Sequence, residues 1–173
     1  MSMDQELAIK IAKEGFELFQ QEKLKEAEIK YLDAIKISDP SHWHSQDIYG
    51  EYGTLLQALG KKDEALIALK HAYASSRRSS EETSISVTVA RYFLSDLLIK
   101  EGKYEEAESV LDNWFDRECE GKWMMSFLKA KLCYLIEDEV TYKKYLDQTL
   151  INAPEGKWSS VQEIMEFIEK NDS

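Results

Sequence analysis

Apolar positions along the chain recur at steps of three and four, not two, in stretches separated by short polar or glycine-containing breaks. That period places one apolar face on a helix. It predicts nine helices, over 4–20, 24–37, 44–59, 62–76, 81–101, 104–118, 122–137, 140–152 and 159–171. Glycine (7) and proline (2) are scarce and hairpin turn signals are few, whereas Ala, Leu, Glu and Lys abound, so the fold expected is all-α. Start signals fit the breaks. Ser79, Ser80 or Thr83 can cap the fifth helix, Asp138 the eighth, and Ser160 with Glu163 forms a capping box before the ninth.

The same phrase recurs in EKLKEAEIKYLDA, GKKDEALIALKHA and GKYEEAESVL. Aligned on Ala27, Ala65 and Ala107, each has a bulky residue four positions on (Tyr31, Leu69, Leu111), then Ala34, Ala72 and Trp114 three further on. These spacings share one helical face, so each phrase is the second helix of a pair. Twelve positions before each alanine stands a small residue, Gly15, Gly53 or Ser95. Small residues at both places let two antiparallel helices approach closely.

This pattern resembles the tetratricopeptide repeat (TPR) family. It matches at Gly15, Ala27, Tyr31 and Ala34, and again at Tyr49, Gly53, Leu56, Ala65, Leu69 and Ala72. The third unit departs from it, with Arg91 at the aromatic slot and Trp114 at the second alanine slot. A fourth unit has Ala130 at the small slot, Tyr142 where alanine belongs, then Leu146 and a closing Pro154. The quartet EGKW opens two helices one repeat apart, at Glu120 and Glu155. Slot spacings of 38, 42 and 35 exceed the family's period of about 34. The extra residues fall in SDPSHWHSQD and SSRRSSEETSIS; the second group would add about 12 Å if helical. The resemblance implies a single domain: a right-handed superhelical array of about four antiparallel pairs (4–40, 44–78, 81–119, 122–154) with a capping helix at 159–171.

Charge narrows the partners. A net charge of −11 disfavours nucleic acid, whose phosphates would be repelled, and favours a basic or amphipathic protein. Cys119 and Cys133 form no CxxC pair and read as free thiols of a reducing compartment. No signal-peptide core opens the chain, and no apolar stretch is long enough to span a bilayer. A cytoplasmic protein without membrane insertion is expected.

Little in the chain points to catalysis. Phosphate-binding glycine loops, GxSxG and HExxH are missing. His42 and His44 in SHWHS point different ways and need two further metal ligands, so the segment reads as a connection in which Trp43 staples the loop. Carboxylates mostly sit at helical spacing from lysines on exposed faces. Arg77 and Arg78 suit a helix C-terminus. No catalytic residue, metal or cofactor is assigned.

What remains is a surface. In TPR-like arrays the first helices of successive pairs line a concave groove that binds a peptide or helix. Carried onto this chain, the stripe reads Ile9, Ala12, Phe16 and Phe19, then Asp47, Gly50, Thr54 and Gln57. It continues with Val89, Tyr92, Asp96 and Ile99, then Met124, Phe127, Lys131 and Tyr134. Lysines and asparagines that clamp a peptide carboxylate in some relatives are replaced by Ala12, Phe16, Gly50, Thr54, Tyr92 and Asp96. The function expected is a non-enzymatic interaction module binding an apolar, amphipathic or basic protein segment. Alternatives are an immunity-type inhibitor covering a basic toxin, a small chaperone of a secreted hydrophobic protein, and a self-associating scaffold forming a homo-oligomer.

Overall fold

The computed structural model describes residues 3–112, 121–152 and 166. Eight helices follow one another: α1 (Met3–Gln20), α2 (Leu24–Ile37), α3 (Ser45–Ala58), α4 (Lys62–Ser79), α5 (Ile85–Lys100), α6 (Tyr104–Asp112), α7 (Lys122–Leu135) and α8 (Glu139–Asn152). Among the described residues there is no strand. Apart from Glu166, the expected ninth helix lies outside the described residues, as do its capping box, Pro154, Trp114, Cys119 and the second EGKW.

Helices pair as α1 with α2, α3 with α4, α5 with α6 and α7 with α8, and first helices pack in sequence, α1 on α3, α3 on α5, α5 on α7. Four turns join the pairs, and all four are built alike. Each places one residue in the left-handed region: Glu22 (φ 60°), Gly60 (φ 74°), Gly102 (φ 69°) and Glu137 (φ 62°). The next N–H then reaches back five residues to close the first helix, from Lys23 to Leu18 O (3.0 Å), Lys61 to Leu56 O (2.9 Å), Lys103 to Leu98 O (2.9 Å) and Asp138 to Cys133 O (2.9 Å). This is the Schellman closure, which satisfies carbonyls left unpaired at a helix C-terminus. The left-handed residue stands five positions before Ala27, Ala65, Ala107 and Tyr142, so the backbone repeats in the register of the alanine slots.

Packing explains the small residues. Ala27, Ala65 and Ala107 are fully buried, with Tyr31, Leu69 and Leu111 beside them. A Cβ added at Gly53 would lie 2.7 Å from Leu69 Cγ, and one at Gly15 would lie 3.2 Å from Tyr31 Cε2. Helices α1 with α2 and α3 with α4 therefore touch backbone to side chain at these points. In the fourth pair Thr149 is fully buried at the second alanine slot, bonding its hydroxyl to Tyr145 O (2.8 Å). One buried cluster fills the first pair and its junction with α3; a larger one runs through the remaining pairs.

Two expected boundaries shift. Helix α4 runs on to Ser79, absorbing part of the inserted segment as helix. Helix α5 then begins at Ile85, and its cap is Ser84, which accepts from Val87 N–H (3.4 Å), not Ser79, Ser80 or Thr83. Asp138 does cap α8, accepting from Thr141 N–H at 3.1 Å. Trp43, expected to pin its loop onto neighbouring helices, is half exposed and stacks on His44 instead.

Arg91 shows how an arginine replaces an aromatic. It is only 1% exposed, its guanidinium lies 5.5 Å over the Tyr73 ring, and it donates to Tyr73 Oη (3.2 and 3.3 Å) and Glu82 (2.8 Å). The planar cation stacks where a ring would, and Glu82 neutralises it. Arg77 also pairs with Glu82.

Candidate functional site

The inner faces of α1, α3 and α5 enclose a cleft of about 430 Å³. Helix α3 forms its floor, because Gly50 there carries no side chain and lies opposite Ala72 of α4. Phe16 and Phe19 of α1 form one wall; Ile85, Val89, Ala90 and Phe93 of α5 form the other. Phe16, Ile85 and Phe93 stand well exposed at 39%, 44% and 37%. Polar groups come mainly from α3: Gln46, Asp47, Glu51 and Thr54, with Ser86 from α5.

The carboxylates sit in unequal surroundings. Glu51 is half-buried and accepts a hydrogen bond from Tyr31 Oη at 2.9 Å. Burial pushes its carboxyl above the usual range, Asp47 one turn earlier adds repulsion, and the Tyr31 bond opposes both. Tyr31 is itself held strongly toward its neutral form, by burial first and by Glu51 second. Asp47 is exposed, with His44 Nδ1 3.4 Å away. Thr54 bonds back to Gly50 O (3.1 Å). Gln46 is 7% exposed, and its Oε1 has no hydrogen-bond partner among the described residues. Among the described residues, no lysine, arginine or histidine lines the cleft.

Of the residues on the expected stripe, the cleft brings together Phe16, Phe19, Asp47, Gly50, Thr54 and Val89. Gln57 is half-buried and lies beyond it, as does Ile9. Ile99 and Phe127 are corrections: at 2% and 5% exposed they belong to the central core, where α5 and α7 are covered by helices on several sides. Ala12 is likewise buried, at 5%. Met124 and Tyr92 pack on that core, and Tyr92 meets Phe93 edge-on at 5.6 Å. Asp96 and Lys131 bond each other across α5 and α7 at 3.0 Å, and Asp96 also pairs with Lys100 at 2.6 Å. Tyr134 meets Tyr142 edge-on at 5.4 Å.

Sequence reasoning missed Gln46, Glu51, Ile85, Ser86 and Phe93. The signal lay in α3, where Gln46 with Asp47 and Gly50 with Glu51 repeat at a four-residue step as a stripe two residues wide. Elsewhere, no group of three or more His, Cys, Asp or Glu among the described residues could hold a metal ion. No described helix is long and apolar enough to cross a membrane.

Antiparallel helix pairs, joined by like turns and stacked through their first helices, define an all-α, TPR-like array. Among solved structures the chain is similar to PilF of Pseudomonas aeruginosa, a TPR-containing protein. The TM-score is 0.64 and the identity 19%, over 92% of this chain and 66% of that one. At such identity the likeness is one of fold. No protein-family model and no curated protein matches the sequence.

Proposed function

We propose that the chain is a non-enzymatic interaction module of the cytoplasm that holds a peptide or amphipathic helical segment of a partner protein in the cleft between α1, α3 and α5. The observation that carries this reading is the cleft itself: aromatic and branched side chains stand exposed on two walls over a floor opened by Gly50. Exposed aromatics that converge on a concavity supply large burial at small entropic cost. The TPR-like fold supports a protein partner in general, since such arrays present the inner helices for binding; the choice of this cleft rests on its geometry.

A pull-down from native lysate tests it, with wild type beside Phe16→Glu/Val89→Glu, at low and high salt. Both residues lie on the cleft walls and outside the fully buried set, so the variant keeps its helical circular dichroism. A partner captured by wild type and lost by the variant supports the cleft. A partner retained equally by both moves binding elsewhere. Sedimentation of the protein alone separates self-association, which rises with concentration.

A further inference from the structure

The cleft has a polarity as well as a shape. Three acceptor-bearing side chains, Gln46, Asp47 and Glu51, come from adjacent turns of α3. None of the described lining residues is basic. Two acceptors are incompletely answered within the chain. Among the described residues, Gln46 Oε1 is buried without a partner, and Glu51 receives only a neutral phenol and takes part in no ion pair. Leaving a buried acceptor unpaired costs free energy that a donor on a ligand would recover. A carboxylate between phenylalanine walls is costly in the same sense.

We propose that the segment seated in this cleft presents an arginine flanked by apolar residues, its guanidinium held by Gln46, Asp47 and Glu51. Five donors in a planar fork suit several acceptors at once, and the same plane stacks on aromatic faces such as Phe16 and Phe19. The apolar neighbours of that arginine lie against Val89, Ile85 and Phe93. The polarity is opposite to that of a groove that clamps a peptide carboxylate with basic side chains. The protein's net charge of −11 attracts such a segment at long range.

This rests on the cleft being the binding surface, and the test separates the two. A random peptide display library is selected on the wild-type chain, then counter-screened on Gly50→Arg. The Cβ of that variant meets only Ala72 Cβ at 3.9 Å, so it folds while filling the floor with its own cation. Expected are peptides that bind wild type, fail on Gly50→Arg, and share an arginine among apolar residues. Replacing that arginine by neutral, isosteric citrulline weakens binding about tenfold or more. Asp47→Asn/Glu51→Gln gives a similar loss, and in that variant the citrulline substitution costs little further, the mark of a direct coupling. Cleft-dependent peptides that lack a cation, or that tolerate citrulline unchanged, overturn the arginine proposal and leave the cleft standing. Peptides that bind Gly50→Arg as well as wild type, or no enrichment at all, overturn both.

Discussion

Two glycines three residues apart on α3 have opposite roles, and replacing each by alanine separates them. Alanine in a helix interior is favoured over glycine by about 1 kcal/mol, because the unfolded glycine has more freedom to lose. At Gly50 the new methyl meets a single atom, Ala72 Cβ, at 3.9 Å, an ordinary contact. Gly50→Ala therefore stabilises by about 0.5–1 kcal/mol. At Gly53 the methyl would lie 2.7 Å from Leu69 Cγ and 2.8 Å from its Cδ2, and Leu69 is only 1% exposed. The leucine cannot swing into solvent, so α3 and α4 must separate. Such overpacking costs about 1–3 kcal/mol, which outweighs the backbone gain. A gap of about 2 kcal/mol between the variants corresponds to about 4–8 °C in Tm for a chain of this length. Urea unfolding followed by helical circular dichroism measures it, with equal slopes required for the comparison. If Gly53→Ala proved as stabilising as Gly50→Ala, the close approach of paired helices would be refuted, and the repeat register with it.

Further outcomes follow from other features. Glu22 and Glu137 hold left-handed φ at a cost that glycine avoids, so Glu22→Gly raises stability, and Gly102→Ala, whose Cβ meets nothing within 4 Å, lowers it by about 1 kcal/mol; thermal melts showing no change in either would reject the turn geometry. Glu51 has a carboxyl pKa raised in the fold above 4.5, so between those values the folded chain binds more protons and loses stability as pH rises. Glu51→Gln, which still accepts from Tyr31, melts higher than wild type at neutral pH, and the difference shrinks as pH falls toward 4.5; a constant difference would mean that ionisation of Glu51 is not the cause. Glu82→Ala strips the buried Arg91 of its carboxylate and costs about 2–3 kcal/mol in urea unfolding, discounted because Glu82 is 31% exposed; an effect under about 0.5 kcal/mol would make the pair incidental. Phe127→Glu buries a charge in the core and abolishes the cooperative melt, whereas Phe16→Glu leaves it intact.

Much of the fold was legible because alanine and small-residue slots report a contact that tolerates little else. Ala27, Ala65 and Ala107 mark the second helix of three pairs, and all are fully buried. The connections were less legible. Ser79, Ser80, Thr83 and Ser84 are equivalent as caps on paper, and only the extension of α4 to Ser79 selects Ser84. The site was partly visible for a similar reason. Helix α3 has a polar inner face and a clear stripe, whereas α5 reads ISVTVARYFLSDLLIK, apolar nearly all round. A helix without contrast between faces does not say which side meets solvent, so Ile99 could be placed on the surface and Phe93 overlooked. Burial in the middle of an array is decided by neighbours on both sides, which no single helix encodes.

The four like turns have a consequence for how the chain accommodates change. From small residue to alanine slot the count is twelve in every pair, Gly15 to Ala27, Gly53 to Ala65, Ser95 to Ala107 and Ala130 to Tyr142. From one pair to the next it is 38, 42 and 35. Length varies between one hairpin and the next, in the connectors and in the extension of α4 to Ser79. An added residue inside a pair would turn one helix by about 100° against its mate, exposing its buried stripe. The same residue between Ile37 and Ser45 would only reseat one hairpin on another. The pitch of the stack is therefore free to drift while each hairpin stays intact, and the curvature of the cleft can be retuned from the connectors 38–44 and 80–84, which contribute nothing to its lining.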